Sequence, residues 1–186
     1  MDDTKQSNIT KHREGIRGTV LCGLFAAIIA VLTLVTIPMP SGVPITLQTF
    51  AVALCGYSLG CAKGTAATFV YVALGAVGLP VFSGMKGGFS VLVGPTGGYI
   101  AGFLGAALVY WLMTARKNTT ARKIAGMAVG MFVCYLFGTL WYVFATGVGL
   151  AGFIAATAKC VLPFIVPDAM KCVLAFWLAK KIRIKK

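Results

Sequence analysis

Long apolar runs that alternate with short basic clusters constrain this chain more than any other feature. The apolar runs recur between residues 18 and 179, and most of the charge sits in the gaps. A run of about 20 apolar residues is the length that crosses a bilayer as a helix, with every backbone group bonded within the segment. Charged residues make up 11% of the chain, against about a quarter in an ordinary soluble domain. That is too little polar surface to coat a water-soluble globule. A length of 186 residues accommodates about six crossings with short loops, and no separate soluble domain is expected.

Six spans are predicted, over residues 18–37, 45–62, 65–79, 99–114, 124–146 and 159–179. The first ends at Pro38-Met39-Pro40-Ser41-Gly42, the second at Lys63-Gly64 and the third at Pro80. Residues 1–17 read as a polar N-terminal tail and 180–186 as a basic C-terminal tail, flanking one membrane domain over 18–179. The first apolar run is too long for a signal-peptide core, so it reads as a retained helix. The net charge of +13 would suit either a nucleic-acid binder or a membrane protein, and placement decides. With both termini in the cytoplasm, all of the 17 basic residues except Lys86, Lys159 and Lys171 fall on the cytoplasmic side. The expected fold is therefore an all-α, multi-pass integral membrane protein in contact with lipid, with no role in binding nucleic acid.

Metal and catalytic chemistry find little support. The six cysteines lie in or beside apolar runs without a C-x-x-C pair, and His12 is the only histidine. No P-loop occurs, so no ATPase activity of its own is expected. A membrane-embedded enzyme would need an in-span histidine, a carboxylate pair or a nucleophile beside a base, and none is evident.

Four features carry possible chemistry. The sixth span holds Asp168, the only acidic residue after Glu14, with Lys171 three positions on and therefore on the same helix face. A charge inside a span is costly and marks a functional site by default. The pair reads as a ligand contact, an internal ion pair, or two side chains reaching for the interface. The glycine-rich stretch 78–99 holds Lys86, Gly94, Thr96, Gly97 and Tyr99. Irregular backbone at membrane depth must be buried in protein or line a cavity, so its amides are candidates for cradling a carboxylate. Thr46 and Gln48 open the second span, either as pocket lining or as a helix cap and an interhelical hydrogen bond. Gly23 with Ala27, and Ala26 with Ala30, form small-residue faces on the first span that suit close helix packing against a partner or this chain.

Taken together, Pro44-Ile45-Thr46-Leu47-Gln48-Thr49-Phe50, the stretch from Tyr71 through Gly78-Leu79-Pro80-Val81-Phe82, Gly94-Pro95-Thr96-Gly97-Gly98-Tyr99, and Pro167-Asp168 with Lys171 resemble the BioY family over residues 16–180. These are the biotin-specific substrate-binding (S) components of energy-coupling factor (ECF) transporters. The resemblance implies the six-helix S-component fold in a prokaryotic plasma membrane, and biotin as ligand with no cofactor. It also implies a transmembrane coupling subunit and two ATP-binding subunits as partners. It assigns Asp168 and Lys171 to the ureido end of biotin, and the Gly23/Ala27 or Ala26/Ala30 face to docking on the coupling subunit. Lys86, Thr96 and the glycine amides are left for the carboxylate, under an 81–98 loop expected to close over the ligand. The alternative reading is an S component for another vitamin, such as thiamin or riboflavin.

Overall fold

The computed structural model describes residues 2–40 and 42–182. Arg183, Lys185 and Lys186 of the expected basic tail lie outside the described residues. Helix α1 runs over Asp2–Leu34, so the polar tail and the first apolar run form one continuous helix. Two-residue strands β1 (Thr36–Ile37) and β2 (Ile45–Thr46) pair antiparallel, Thr36 opposite Thr46, and make a small hairpin at the far end of α1. Helices α2 (Gln48–Leu59) and α3 (Cys61–Ala76) follow, joined by Gly60 alone. Gly60 has φ +83°, a conformation that glycine adopts without a Cβ penalty. The turn therefore comes there, ahead of the break expected at Lys63-Gly64.

The chain continues through α4 (Phe89–Val93), α5 (Gly97–Thr114), α6 (Thr120–Thr146), α7 (Phe153–Cys160) and α8 (Leu162–Lys181). Thr119 caps α6, its hydroxyl accepting from the Arg122 backbone N–H. Among the described residues, four helices are long and apolar enough to cross a membrane: His12–Leu34 within α1, then α5, α6 and α8. The second span is shorter than foreseen, whereas α3, at 16 residues, is about as short as the third was expected to be. At 1.5 Å per residue, the 12 residues of α2 cover about 18 Å, well short of a hydrocarbon core about 30 Å thick. The hairpin consumes the start of that apolar run, and Gly60 ends it. Ten of the 12 residues of α2 are buried, so its apolar character reflects a position at the centre of the bundle.

The sixth span also departs from expectation. Lys159 sits exposed on α7, and a break at Val161 separates it from α8. Pro163 lies in the first turn of α8, where its missing N–H costs nothing, whereas Pro167 stands inside the helix. The core gathers around α2, with Phe25 and Ile29 of α1, Tyr71 of α3, Phe103 and Tyr110 of α5, and Met127 and Met131 of α6. Helices α5 and α6 make the most extensive contact. A Cβ on Gly130 would lie 2.7 Å from the Ala106 carbonyl oxygen, and one on Gly102 would lie 2.9 Å from Cys134 Sγ. Glycine at both positions lets these backbones approach, the small-residue packing typical of membrane helices.

Candidate functional site

A cavity of about 320 Å³ opens at the end of the bundle where the hairpin lies. The hairpin contributes Thr36, Pro38, Val43 and Thr46, the glycine-rich stretch Ser83 and Lys86, and the helices Gln48, Tyr99, Tyr135 and Asp168. Pro38, Gly42, Gly84 and Lys86 are exposed and form the mouth, while Gln48, Phe82, Tyr99, Phe164 and Asp168 are buried and form the walls. Chain order puts Lys63 and the basic residues at 115–123 and 180–181 at the opposite end of the helices.

Asp168 is the only acidic group on the cavity wall and is 5% exposed. The Lys171 ammonium donates to its Oδ1 at 2.8 Å, and the Tyr135 hydroxyl donates to its Oδ2 at 2.8 Å. Lys171 also donates to the Thr46 carbonyl at 2.8 Å, tying α8 to the hairpin. An isolated carboxylate buried this deeply would be prohibitively costly, and pairing with well-placed donors offsets that cost. The pair is thus an internal ion pair that also borders a cavity, and its burial excludes the reading in which both side chains reach for the interface. Lys171 stands behind Asp168 and is not part of the wall. A carboxylate accepts up to about four hydrogen bonds, and the protein supplies two here. Acceptor capacity therefore remains.

Thr46 and Gln48 serve as structural contacts and as cavity lining at once. The Thr46 hydroxyl accepts from the Gln48 backbone N–H at 3.2 Å, at the first turn of α2. The Gln48 side-chain amide donates to the Tyr71 hydroxyl on α3 at 3.1 Å, and both Thr46 and Gln48 line the cavity. In the glycine-rich stretch, Thr96, Tyr99 and Lys86 line it as well. The Tyr99 hydroxyl bonds to Thr139 at 3.0 Å, so its ring is what faces the space.

Gly94 and Gly97 do not line the cavity, contrary to expectation. The Gly94 amide bonds to the Ser90 carbonyl, the Gly97 amide to the Gly94 carbonyl, and Trp141 Nε1 donates to the Gly94 carbonyl at 2.9 Å. Gly97 is required because a Cβ there would collide with the Leu92 backbone. These amides serve the fold and are not free to cradle an anion.

The glycine-rich stretch is anchored at its start. The Phe82 ring, 1% exposed, lies against the bare Cα of Gly75 and edge-on to Tyr71, with ring centroids 5.8 Å apart. The Tyr71 hydroxyl donates to the Val81 carbonyl, and the Gly88 amide to the Gly75 carbonyl at 2.7 Å. The hairpin meets this segment through a hydroxyl contact, Thr36 to Ser83 at 3.1 Å. On α1, Gly23 and Ala27 are exposed, whereas Ala26 is 1% exposed in the core and Ala30 packs against it. The Ala26/Ala30 face is thus turned inward, leaving Gly23/Ala27 as the outward small-residue face. Tyr135, Phe164 and the cavity thiols Cys134 and Cys160 were not foreseen, because an aromatic or cysteine inside an apolar helix carries no sequence mark that separates lining from packing.

The comparisons with known proteins agree with one another. The BioY family model matches residues 4–185. The biotin transporter BioY of Thermotoga maritima is 40% identical over 171 residues, covering 92% of this chain and 97% of that protein. The biotin transporter BioY of Rhodobacter capsulatus is 38% identical over 177 residues, covering 89% of this chain and 93% of that protein. A crystal structure of the S-component for biotin from an ECF-type ABC transporter superposes with a TM-score of 0.79 at 25% identity, covering 94% of each chain. A second bacterial ECF S component, 17% identical with a TM-score of 0.61, shares the fold. With nearly its whole length matched by the family model and these relatives, this chain belongs to the BioY family.

Proposed function

We propose that this chain binds biotin from outside the cell and serves as the substrate-specific component of an ECF-type transporter in the plasma membrane. The observation that carries the reading is the buried Asp168 carboxylate on the cavity wall, paired behind it with Lys171. A cyclic urea presents an N–H beside a C=O on each edge. Asp168 has acceptor capacity left for the N–H, and Lys171, behind the wall, holds that carboxylate and the Thr46 carbonyl in place. The cavity volume lies at the small end of ligand pockets, which suits a vitamin of biotin's size.

The apolar part of biotin lies against Tyr99, Phe103 and Phe164, and its carboxylate points to the mouth. There Lys86 supplies a cation on the cavity wall and Ser83 and Thr96 offer hydroxyls. The hairpin forms the roof, tied to α8 through Thr46 and packed through Val43, while residues 81–88 are anchored on α3. The exposed Gly23/Ala27 face of α1 docks on the coupling subunit, and two ATP-binding subunits supply the energy. The shorter α2 and α3 complete a six-helix bundle, with both termini on the cytoplasmic side.

Uptake of labelled biotin into biotin-requiring cells that express this chain with the coupling and ATP-binding subunits tests the reading. Uptake that excess unlabelled biotin abolishes, and that excess thiamin or riboflavin leaves intact, is the expected result. Uptake competed by either of the other vitamins, or none above cells lacking the chain, would overturn it.

A further inference from the structure

Tyr135 is a half-buried phenol on α6 whose hydroxyl donates to Asp168 Oδ2 at 2.8 Å, on a different helix and 33 positions away. The other oxygen of the same carboxylate is taken by Lys171, from its own helix. A side-chain carboxylate turns about its terminal torsion over a broad, roughly two-fold range. One donor on Oδ1 does not stop that rotation, whereas donors on both oxygens, from separate helices, fix the plane of the group. Tyr135 lines the cavity beside Asp168, so the remaining lone pairs are held toward the ligand space. A carboxylate is acceptor-only. A ligand must then arrive as a donor, as an N–H of a cyclic urea does.

We infer that Tyr135 is the positioning residue of the binding site: it acts on the ligand through Asp168, fixing the orientation of the carboxylate that receives the ureido N–H. This inference rests on the proposed biotin reading. It assigns α6 a direct part in recognition, whereas the charged pair alone would confine recognition of the polar head to α8.

The test is a double-mutant cycle in the detergent-purified full chain, read by calorimetric titration with biotin. Biotin binding by the wild-type protein is the control that separates this inference from the reading beneath it, since absent binding there condemns the biotin assignment itself. Tyr135→Phe removes one oxygen and keeps the ring. It is expected to weaken binding about tenfold, the low end for a hydrogen bond to a charged group. In the Asp168→Asn background the same change is expected to have almost no further effect, because the group it positions is gone. Equal losses in both backgrounds, or no loss in the wild-type background, would overturn the inference. A merely structural role would lower the unfolding temperature and leave the two losses additive. If Tyr135→Phe is not recovered folded, the near-ultraviolet tyrosine band of Asp168→Asn decides. A difference spectrum reporting a tyrosine that has lost a carboxylate acceptor supports the inference, and an unchanged tyrosine band refutes it.

Discussion

Truncating either member of the ion pair strands a different buried group, and the two outcomes differ. Lys171→Met leaves the Asp168 carboxylate at 5% exposure with Tyr135 as its remaining protein donor. Breaking a buried pair this way costs about 3–5 kcal/mol, so a marked drop in unfolding temperature is expected in detergent. Asp168→Asn leaves Lys171 its bond to the Thr46 carbonyl, so the drop should be smaller. Combining the two should recover stability relative to Lys171→Met alone while binding no biotin. Thermal unfolding and titration of the three variants check this. At this scale the sequence was most informative where chemistry was out of place: a carboxylate and an ammonium inside an apolar run announce themselves. Tyr135 does not, because one phenol among the aromatics of α6 looks like packing until α8 is folded against it. Gly94 and Gly97 misled for a related reason. A glycine needed for close packing of α5 on α4 has the same letter as one that exposes an amide to a ligand.

The elements around the cavity differ in how firmly they are held. Residues 81–88 are fixed by the Phe82 ring against Gly75, by the Gly88 amide on the Gly75 carbonyl and by the Tyr71 hydroxyl on the Val81 carbonyl. Gly75→Val would fill that slot and expel the ring. Overpacking of this kind costs about 1–3 kcal/mol, and here it should also release the segment. Faster amide exchange over residues 82–88, with weaker biotin binding, is the expected outcome, measured by hydrogen–deuterium exchange with mass spectrometry. Unaltered exchange there would mean that Phe82 is not the anchor. The long helices α5 and α6 were legible from their apolar runs, and the ends of α5 fell close to those expected. The hairpin was not, since strands of two residues have no periodicity to read. Nor was the shortness of α2, because an apolar helix shielded by protein and one facing lipid have the same composition.

For the whole molecule, the cavity and the outward small-residue face of α1 lie on different surfaces. The cavity lies at one end, whereas Gly23 and Ala27 lie outward along α1, where a Cβ on Gly23 would meet nothing within 4 Å in this chain. Gly23→Leu with Ala27→Leu should therefore leave biotin affinity within about twofold and abolish uptake that depends on the energising subunits. Affinity lost together with uptake would place this face within the fold itself. Orientation is open to a simple check: a green fluorescent protein fused after residue 186 should fluoresce, as it does only when folded in the cytoplasm. The expected orientation rests on the clustering of basic residues, because charge bias acts during insertion and needs no tertiary contact. The cavity was unreadable for the opposite reason, since its wall draws on the hairpin and on helices far apart in sequence. The most direct test of the account is calorimetric titration of the purified protein with biotin, beside Asp168→Asn. The account predicts saturable binding at a single site in the wild-type chain and a loss of at least about tenfold in the variant. Equal affinity in the two proteins would contradict it, because biotin would then be bound without the carboxylate on which the site is built.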